Sequence, residues 1–282
     1  TATAVARMLM ARITSLRQLD PDGPLDAVQA VVPMTGEVIE IRMVAARPYM
    51  LQMLAQPQMG ILSRDGGTLF VANENDAALT AIDLSSRTVA FQVAVGGEPE
   101  GVAQSPDERW VAVTSEEDNV VTWIDLSTRT AAGETATEMR PRHVEFTADG
   151  RQLWIAAEIG GVVQIADVAS RTITDTLPFE IEGVAAHRIL PCGIRFTPDG
   201  KTAIVALGRA DHVALVDVAS RKVRAYVPVG RRVWHVAVSA DGRHAYSANG
   251  LSNNVSVIDL DMAKVVGTVP VGSAPWGIAI AP

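Results

Sequence analysis

Cysteine is almost missing from this sequence. Of its 282 residues only Cys192 is a cysteine, so no intrachain disulfide can form and thiolate-rich zinc or iron–sulfur sites are excluded. Long apolar runs are missing too. No stretch reaches the roughly 18 uninterrupted apolar residues that a membrane-crossing helix needs, and Arg7, Arg12 and Arg17 break the apolar N-terminal stretch. Positive charge is scarce: 24 Lys and Arg face 32 Asp and Glu, a formal net charge of −8. That balance repels a phosphate backbone, and nucleic acid is not expected as a partner. The sequence also lacks a Gly-x-Ser-x-Gly elbow, a phosphate loop ending in Gly-Lys-Ser/Thr and a dinucleotide Gly-x-Gly-x-x-Gly. No catalytic residue is assigned, no cofactor is expected, and the chain reads as non-enzymatic rather than enzymatic.

What is present is a globular composition, 48% hydrophobic and 20% charged, with 22 Gly and 15 Pro, and within it a repeat. A turn Asp recurs at Asp65, Asp107, Asp149, Asp199 and Asp241, with spacings of 42, 42, 50 and 42. A second Asp, closing short runs rich in β-branched residues, recurs with the same spacings at Asp83, Asp125, Asp167, Asp217 and Asp259. Pro before a short apolar run marks a third series at Pro57, Pro99, Pro141, Pro191 and Pro275, with Val233 in the sixth register. Each unit reads as four strands. In residues 99–140 these are Gly101 to Gln104, Trp110 to Thr114, Val120 to Ile124 and a more polar Thr130 to Thr137. Second strands such as Leu69 to Ala72 and Leu153 to Ala156 are nearly continuous apolar runs, which implies cover on both faces.

Radially stacked four-stranded sheets satisfy that demand, so the expected fold is all-β, a single β-propeller over residues 1–282. Regular blades are expected at 57–98, 99–140, 141–190, 191–232 and 233–274, after a degenerate N-terminal blade in 1–56. A closing inner strand at 275–282 is expected to share a blade with N-terminal strands at 27–32 and 37–43. Six blades are expected, and seven are allowed.

The loops entering the inner strands gather the candidate chemistry. They carry Glu100, Arg142, His143, His187, Arg188, Arg231, Arg232, Trp234, His235 and Trp276 as a ligand- or partner-binding face. Arginine forks there suit carboxylate-bearing ligands. His143, His187 and His235 would be the set for copper, zinc or a haem iron, but no pair shows ligand spacing, and no metal site is assigned. Trp234 and Trp276 share one register, which suggests packing, and Cys192 reads as a small buried hydrophobe. The interval from Asp167 to Pro191 is eight residues longer than its equivalents, the extra length falling within residues 179–190, and an insertion into one blade suggests a binding surface.

The units Leu-Phe-Val-Ala-Asn-Glu (residues 69–74) and Val-Ser-Val-Ile-Asp (residues 255–259) resemble the YVTN family of β-propellers. Residues 96–102, 140–146 and 156–161 are similar to the propeller associated with PQQ-dependent catabolism. The resemblance covers residues 57–282. It implies a periplasmic binding or assembly module serving quinoprotein alcohol oxidation, with a protein partner such as a quinoprotein dehydrogenase or its cytochrome. It supplies no catalytic residues. Two alternatives stand beside it: a redox or lactone-hydrolysing propeller enzyme with a metal or haem at the channel mouth, and a general surface- or stress-associated YVTN protein.

Overall fold

The computed structural model describes residues 28–33, 39–43 and 60–280. The chain divides into two compact units, residues 1–56 with 86–88, and residues 57–85 with 89–282. In the first, β1 (Val28–Pro33) pairs antiparallel with β2 (Ile39–Met43), with Val31 opposite Ile41.

From residue 60 onward the chain makes five four-stranded sheets, each a meander in chain order. They are β3 to β6 (Gly60–Leu62, Thr68–Asn73, Ala78–Asp83, Thr88–Ala94) and β7 to β10 (Pro99–Gln104, Trp110–Ser115, Val120–Asp125, Thr130–Ala136). Next come β11 to β14 (Pro141–Phe146, Gln152–Ala157, Val162–Asp167, Thr172–Pro178) and β15 to β18 (Pro191–Phe196, Thr202–Leu207, His212–Asp217, Lys222–Pro228). The last is β19 to β22 (Val233–Val238, His244–Asn249, Asn254–Asp259, Lys264–Pro270). The first strands of successive sheets lie side by side, β3 by β7, β7 by β11, β11 by β15 and β15 by β19, so the sheets follow one another as propeller blades. Residues 275–280, expected to begin a closing strand, carry no strand pairing, and 281–282 lie outside the described residues.

Burial follows strand position as the apolar runs require. Val111, Leu153, Ile155, Ala203 and Val205 of the second strands are fully buried, because each sheet is covered on both faces. The fourth strands are mostly exposed; four of the five have one buried residue, such as Val93, Leu177 and Val227, and Lys264–Pro270 has none. Aromatics meet edge to face within a sheet, Trp123 with Trp110, and between sheets, Trp123 with Phe146 and Trp154 with Phe196. Trp123 keeps its polar atom satisfied, donating from Nε1 to Thr135 Oγ1 at 2.8 Å.

The turn between first and second strands is the same device in all five described blades. In the second blade Ser105 Oγ donates to Asp107 at 2.5 Å and accepts the Trp110 N–H at 2.9 Å, while Asp107 accepts the Arg109 N–H. Ser63 with Asp65, Thr147 with Asp149, Thr197 with Asp199 and Ser239 with Asp241 repeat it. The second Asp series ends the third strands by accepting backbone N–H groups two or three residues on, Asp125 from the Ser127 N–H and Asp167 from the Ser170 N–H.

Candidate functional site

At the opposite end of the sheets, equivalent positions carry different residues. The second residue of each inner strand is Glu100 in β7, Arg142 in β11, Cys192 in β15 and Trp234 in β19, with Trp276 in the next register. The third position alternates Gly101, His143, Gly193, His235 and Gly277. The glycines let neighbouring strands close in. A Cβ on Gly101 would lie 2.8 Å from the Arg142 carbonyl oxygen, and one on Gly193 2.9 Å from His235 Cα. These two rows line one small pocket, open to solvent, formed by Glu100, Arg142, His143, Cys192, Gly193, Trp234, His235 and Trp276.

Arg142 lies at the centre of the charge network. Its Nε and Nη2 donate to Glu100 Oε2 at 2.9 and 2.7 Å, and its Nη1 donates to Glu158 Oε2 at 3.1 Å. Glu116 Oε1 lies 2.8 Å from the same guanidinium. Arg140 binds Glu116 at 2.6 Å, and Arg232 binds Glu158 at 2.9 Å. The guanidinium of Arg142 also lies 5.1 and 5.2 Å from the ring centres of Trp234 and Trp276, which stack on each other at 3.7 Å. Arg232 covers Trp234 at 3.8 Å.

The titration pattern follows from this crowding. Burial, reinforced by a hydrogen bond to Glu116, pushes the Glu100 carboxyl well above its ordinary range. Burial also works against Glu116, but the Glu100 hydrogen bond and the Arg142 and Arg140 charges outweigh it and hold that carboxyl low. The two shifts run in opposite directions, Glu100 towards its neutral form and Glu116 towards its ionised form. Burial raises the Cys192 thiol far above its normal value, with the Glu158 charge adding to the effect, so it stays an unreactive thiol.

A second cluster adjoins the first. Arg195 Nη1 sits 2.7 Å from Glu145 and 2.9 Å from His143 Nε2, and the His143 ring meets the His235 ring edge-on at 5.3 Å. Burial, with the Arg195 charge, depresses both histidines, His235 strongly, and both are neutral at pH 7.

The structure therefore brings six of the sequence-selected residues to the pocket: Glu100, Arg142, His143, Trp234, His235 and Trp276. Arg232 joins through Glu158. Three selected residues stay apart. Arg231 and His187 are exposed, and Arg188 turns to the Arg209 carbonyl oxygen at 2.8 Å and to Asp211. With His187 outside, the proposed three-histidine metal set does not assemble; among the described residues no group of three or more His, Cys, Asp or Glu is arranged to hold a metal. The two tryptophans do more than pack, since both line the pocket.

The insertion is anchored at its apolar residues: Phe179 and Ile189 are buried, with Ile181 and Val184 packed beside them, in the core between the third and fourth described blades, while Glu182 and residues 185–188 are exposed. Tyr226 Oη accepts the Glu180 N–H at 3.0 Å. Apolar residues inside the loop (Phe179, Ile181, Val184, Ile189) were the sequence signal of that packing.

Glu116 and Glu158 escaped the sequence reading, although their register points to them. The position after each second strand reads Glu74, Glu116, Glu158, Gly208 and Gly250. The two glycines are forced: a Cβ at Gly208 would lie 2.7 Å from the Leu190 carbonyl oxygen, and one at Gly250 2.7 Å from Trp234 Nε1.

Fold and mouth together define a β-propeller whose blades converge on one polar pocket. The model of the Lactonase, 7-bladed beta-propeller family matches residues 102–261, more than half of the chain, and the chain belongs to that family. Its seven blades are the higher count that the repeat allowed. No curated protein matches the sequence. Among solved structures, the hydrazine synthase of Kuenenia stuttgartiensis is 17% identical over 77% of this chain and 87% of its own, with a TM-score of 0.51. A functionally unknown protein from Desulfotomaculum acetoxidans is 14% identical over 76% of this chain and 69% of its own, with a TM-score of 0.66. At these identities the likeness is one of fold. Among the described residues no helix is long and apolar enough to cross a membrane.

Proposed function

We propose that the protein is a non-enzymatic binding module whose pocket-bearing face engages a protein of quinoprotein alcohol oxidation, a dehydrogenase or its cytochrome, in the periplasm. The compartment and the partner class rest on the resemblance to the PQQ-associated propellers. The observation that carries the binding role is the divergence of one register: Glu100, Arg142, Cys192, Trp234 and Trp276 occupy equivalent places, and all five line the same pocket. A scaffold held together by repetition spends that uniformity only where unlike groups must meet something else. The strong charges there are already paired within the chain, which suits recognition better than bond-making. The test is capture of partners from a native periplasmic extract by the wild type and by Arg231→Glu, which reverses a charge beside the mouth without touching the buried network. Recovery of a quinoprotein or its cytochrome by the wild type, reduced by the variant, supports the reading. Recovery of neither by the wild type overturns it.

A second reading, lactone hydrolysis, has one specific support besides the family's description. The Glu100 carboxyl, shifted towards its neutral form, and the imidazoles of His143 and His235 face the same pocket, an acid and a base within one small space. Turnover of a γ- or δ-lactone by the purified chain, lost in His235→Gln, would establish it in place of the first.

A further inference from the structure

We propose that Arg195 and His143 form a proton-operated latch between the inner strands β15 and β11, closed while the imidazole is neutral and released when it takes up a proton. The latch regulates the pocket, and in that sense it rests on the binding reading.

The first observation is a contact that only a neutral ring can make. Arg195 Nη1 lies 2.9 Å from His143 Nε2, 2.7 Å from Glu145 Oε2 and 3.0 Å from the Ile194 carbonyl oxygen. A guanidinium has donors and no acceptor, so Nε2 accepts and the single ring proton sits on Nδ1. A proton added at Nε2 sets one N–H against another, and one positive charge against another. The same nitrogen has Glu145 Oε2 at 3.5 Å, an acceptor that can serve the protonated ring as it serves the arginine. Glu145 thus stands between two donors, and protonation exchanges one for the other. The Arg195 side chain is 34% exposed, which gives the proton a route from solvent.

The second observation is where the exchange is felt. Strand β7 closes on β11 at Gly101, where a Cβ would lie 2.9 Å from His143 Cα, and β15 closes on β19 at Gly193. Strands packed that closely leave the rearrangement to side chains. The His143 ring meets the His235 ring at 5.3 Å, and both line the pocket together with Trp234 and Trp276. The other titratable or charged groups round His143 are Arg142 on its own strand, Glu100 on β7, Cys192 on β15 and His235 on β19, with Arg64 acting on Glu145 from the first described blade. Burial first, and then the Arg195 charge, keep the ring neutral at pH 7, where the latch is closed.

Imidazole nitrogen NMR of the isotope-labelled full chain from about pH 7.5 to 5 tests this, with His143→Gln assigning the ring. At the upper pH His143 should carry its proton on Nδ1. As the ring titrates, the guanidinium signal of Arg195 and the indole N–H signals of Trp234 and Trp276 should shift with the same midpoint. His143→Gln offers Arg195 an amide oxygen at every pH and should abolish the shared transition. Glu145→Gln should lower the midpoint by about one pH unit. A proton on Nε2 at the upper pH, no titration of His143 before the chain unfolds, Arg195 or indole signals that ignore it, a midpoint indifferent to Glu145→Gln, or a transition that survives in His143→Gln overturns the proposal. Partner capture is a separate readout. If a quinoprotein is recovered while His143 holds its proton on Nε2, this inference alone falls; if the latch titrates as described and no partner is recovered, the proposed function alone falls.

Discussion

The two ends of the same sheets obey opposite rules. At the turn end, Ser or Thr, Asp and their backbone partners repeat in all five described blades, and each copy closes the hairpin within its own blade. At the mouth, equivalent positions differ from blade to blade and their side chains reach two blades away, as Arg142 does to Trp234. A repeated group serves its own blade, and an unrepeated one answers to the others. The turn acids are therefore structural even though their carboxyls are held below the ordinary range, Asp149 first by the Thr147 hydroxyl and then by the Arg151 N–H.

Four measurements can break or sharpen that contrast. The largest effect is expected from Glu158→Ala, which strips buried Arg232 of its carboxylate partner and takes one of three from Arg142. Loss of about 3–5 kcal/mol in denaturant unfolding is expected, and a loss below about 1 kcal/mol would show that the mouth network is only superficial. Next comes a pair of glycines, one at each end. Gly101→Ala drives a Cβ into the backbone of the neighbouring strand and should cost about 3 kcal/mol. Gly200→Ala, at φ +70° with open space around it, should cost only about 1 kcal/mol of backbone strain. Equal losses would erase the distinction between close packing at the mouth and local turn geometry.

Ser105→Ala follows. It leaves the buried Trp110 N–H without its acceptor, an expected loss of about 1–2 kcal/mol, and it should leave partner capture and the mouth titrations unchanged. The mildest effect is that of pH. His235 and His143 have folded pKa values below their unfolded ones, so the unfolded chain binds more protons near pH 6 and stability falls as the pH drops below about 6.5. Glu100 acts in the other sense. Its raised folded pKa gives stability that is lost as the pH climbs from about 4.3. Unfolding midpoints at pH 7 and 6 should show a decline that His235→Asn reduces; an unchanged slope would mean that the ring is not buried as a neutral base.

Much of the fold was legible because the turn chemistry is local. Asp65 and its equivalents announce themselves by spacing, and a turn needs only its own four or five residues. Six pocket residues were legible for a related reason, since they sit at fixed offsets from Pro99 and its equivalents. The remainder was not. Glu116 and Glu158 follow second strands that read as core, and nothing local says that their carboxylates turn back to meet arginines from other blades. Arg195 and Glu145 lie further along the inner strands, where only the assembled sheets bring them to His143. His187, Arg188 and Arg231 misled because loops outside the repeat take their path from packing, as Phe179 and Ile189 do.

The glycines at 208 and 250 have a consequence for how this mouth can change. A side chain at 250 is blocked while Trp234 keeps its present course, whereas one at 208 meets the Leu190 carbonyl oxygen, 2.7 Å from where its Cβ would lie. Position 250 can therefore change only together with 234, and 208 only with a shift of the backbone ahead of Pro191. Redesign of the opening, by selection or by hand, has a side-chain route at one of these places and none at the other.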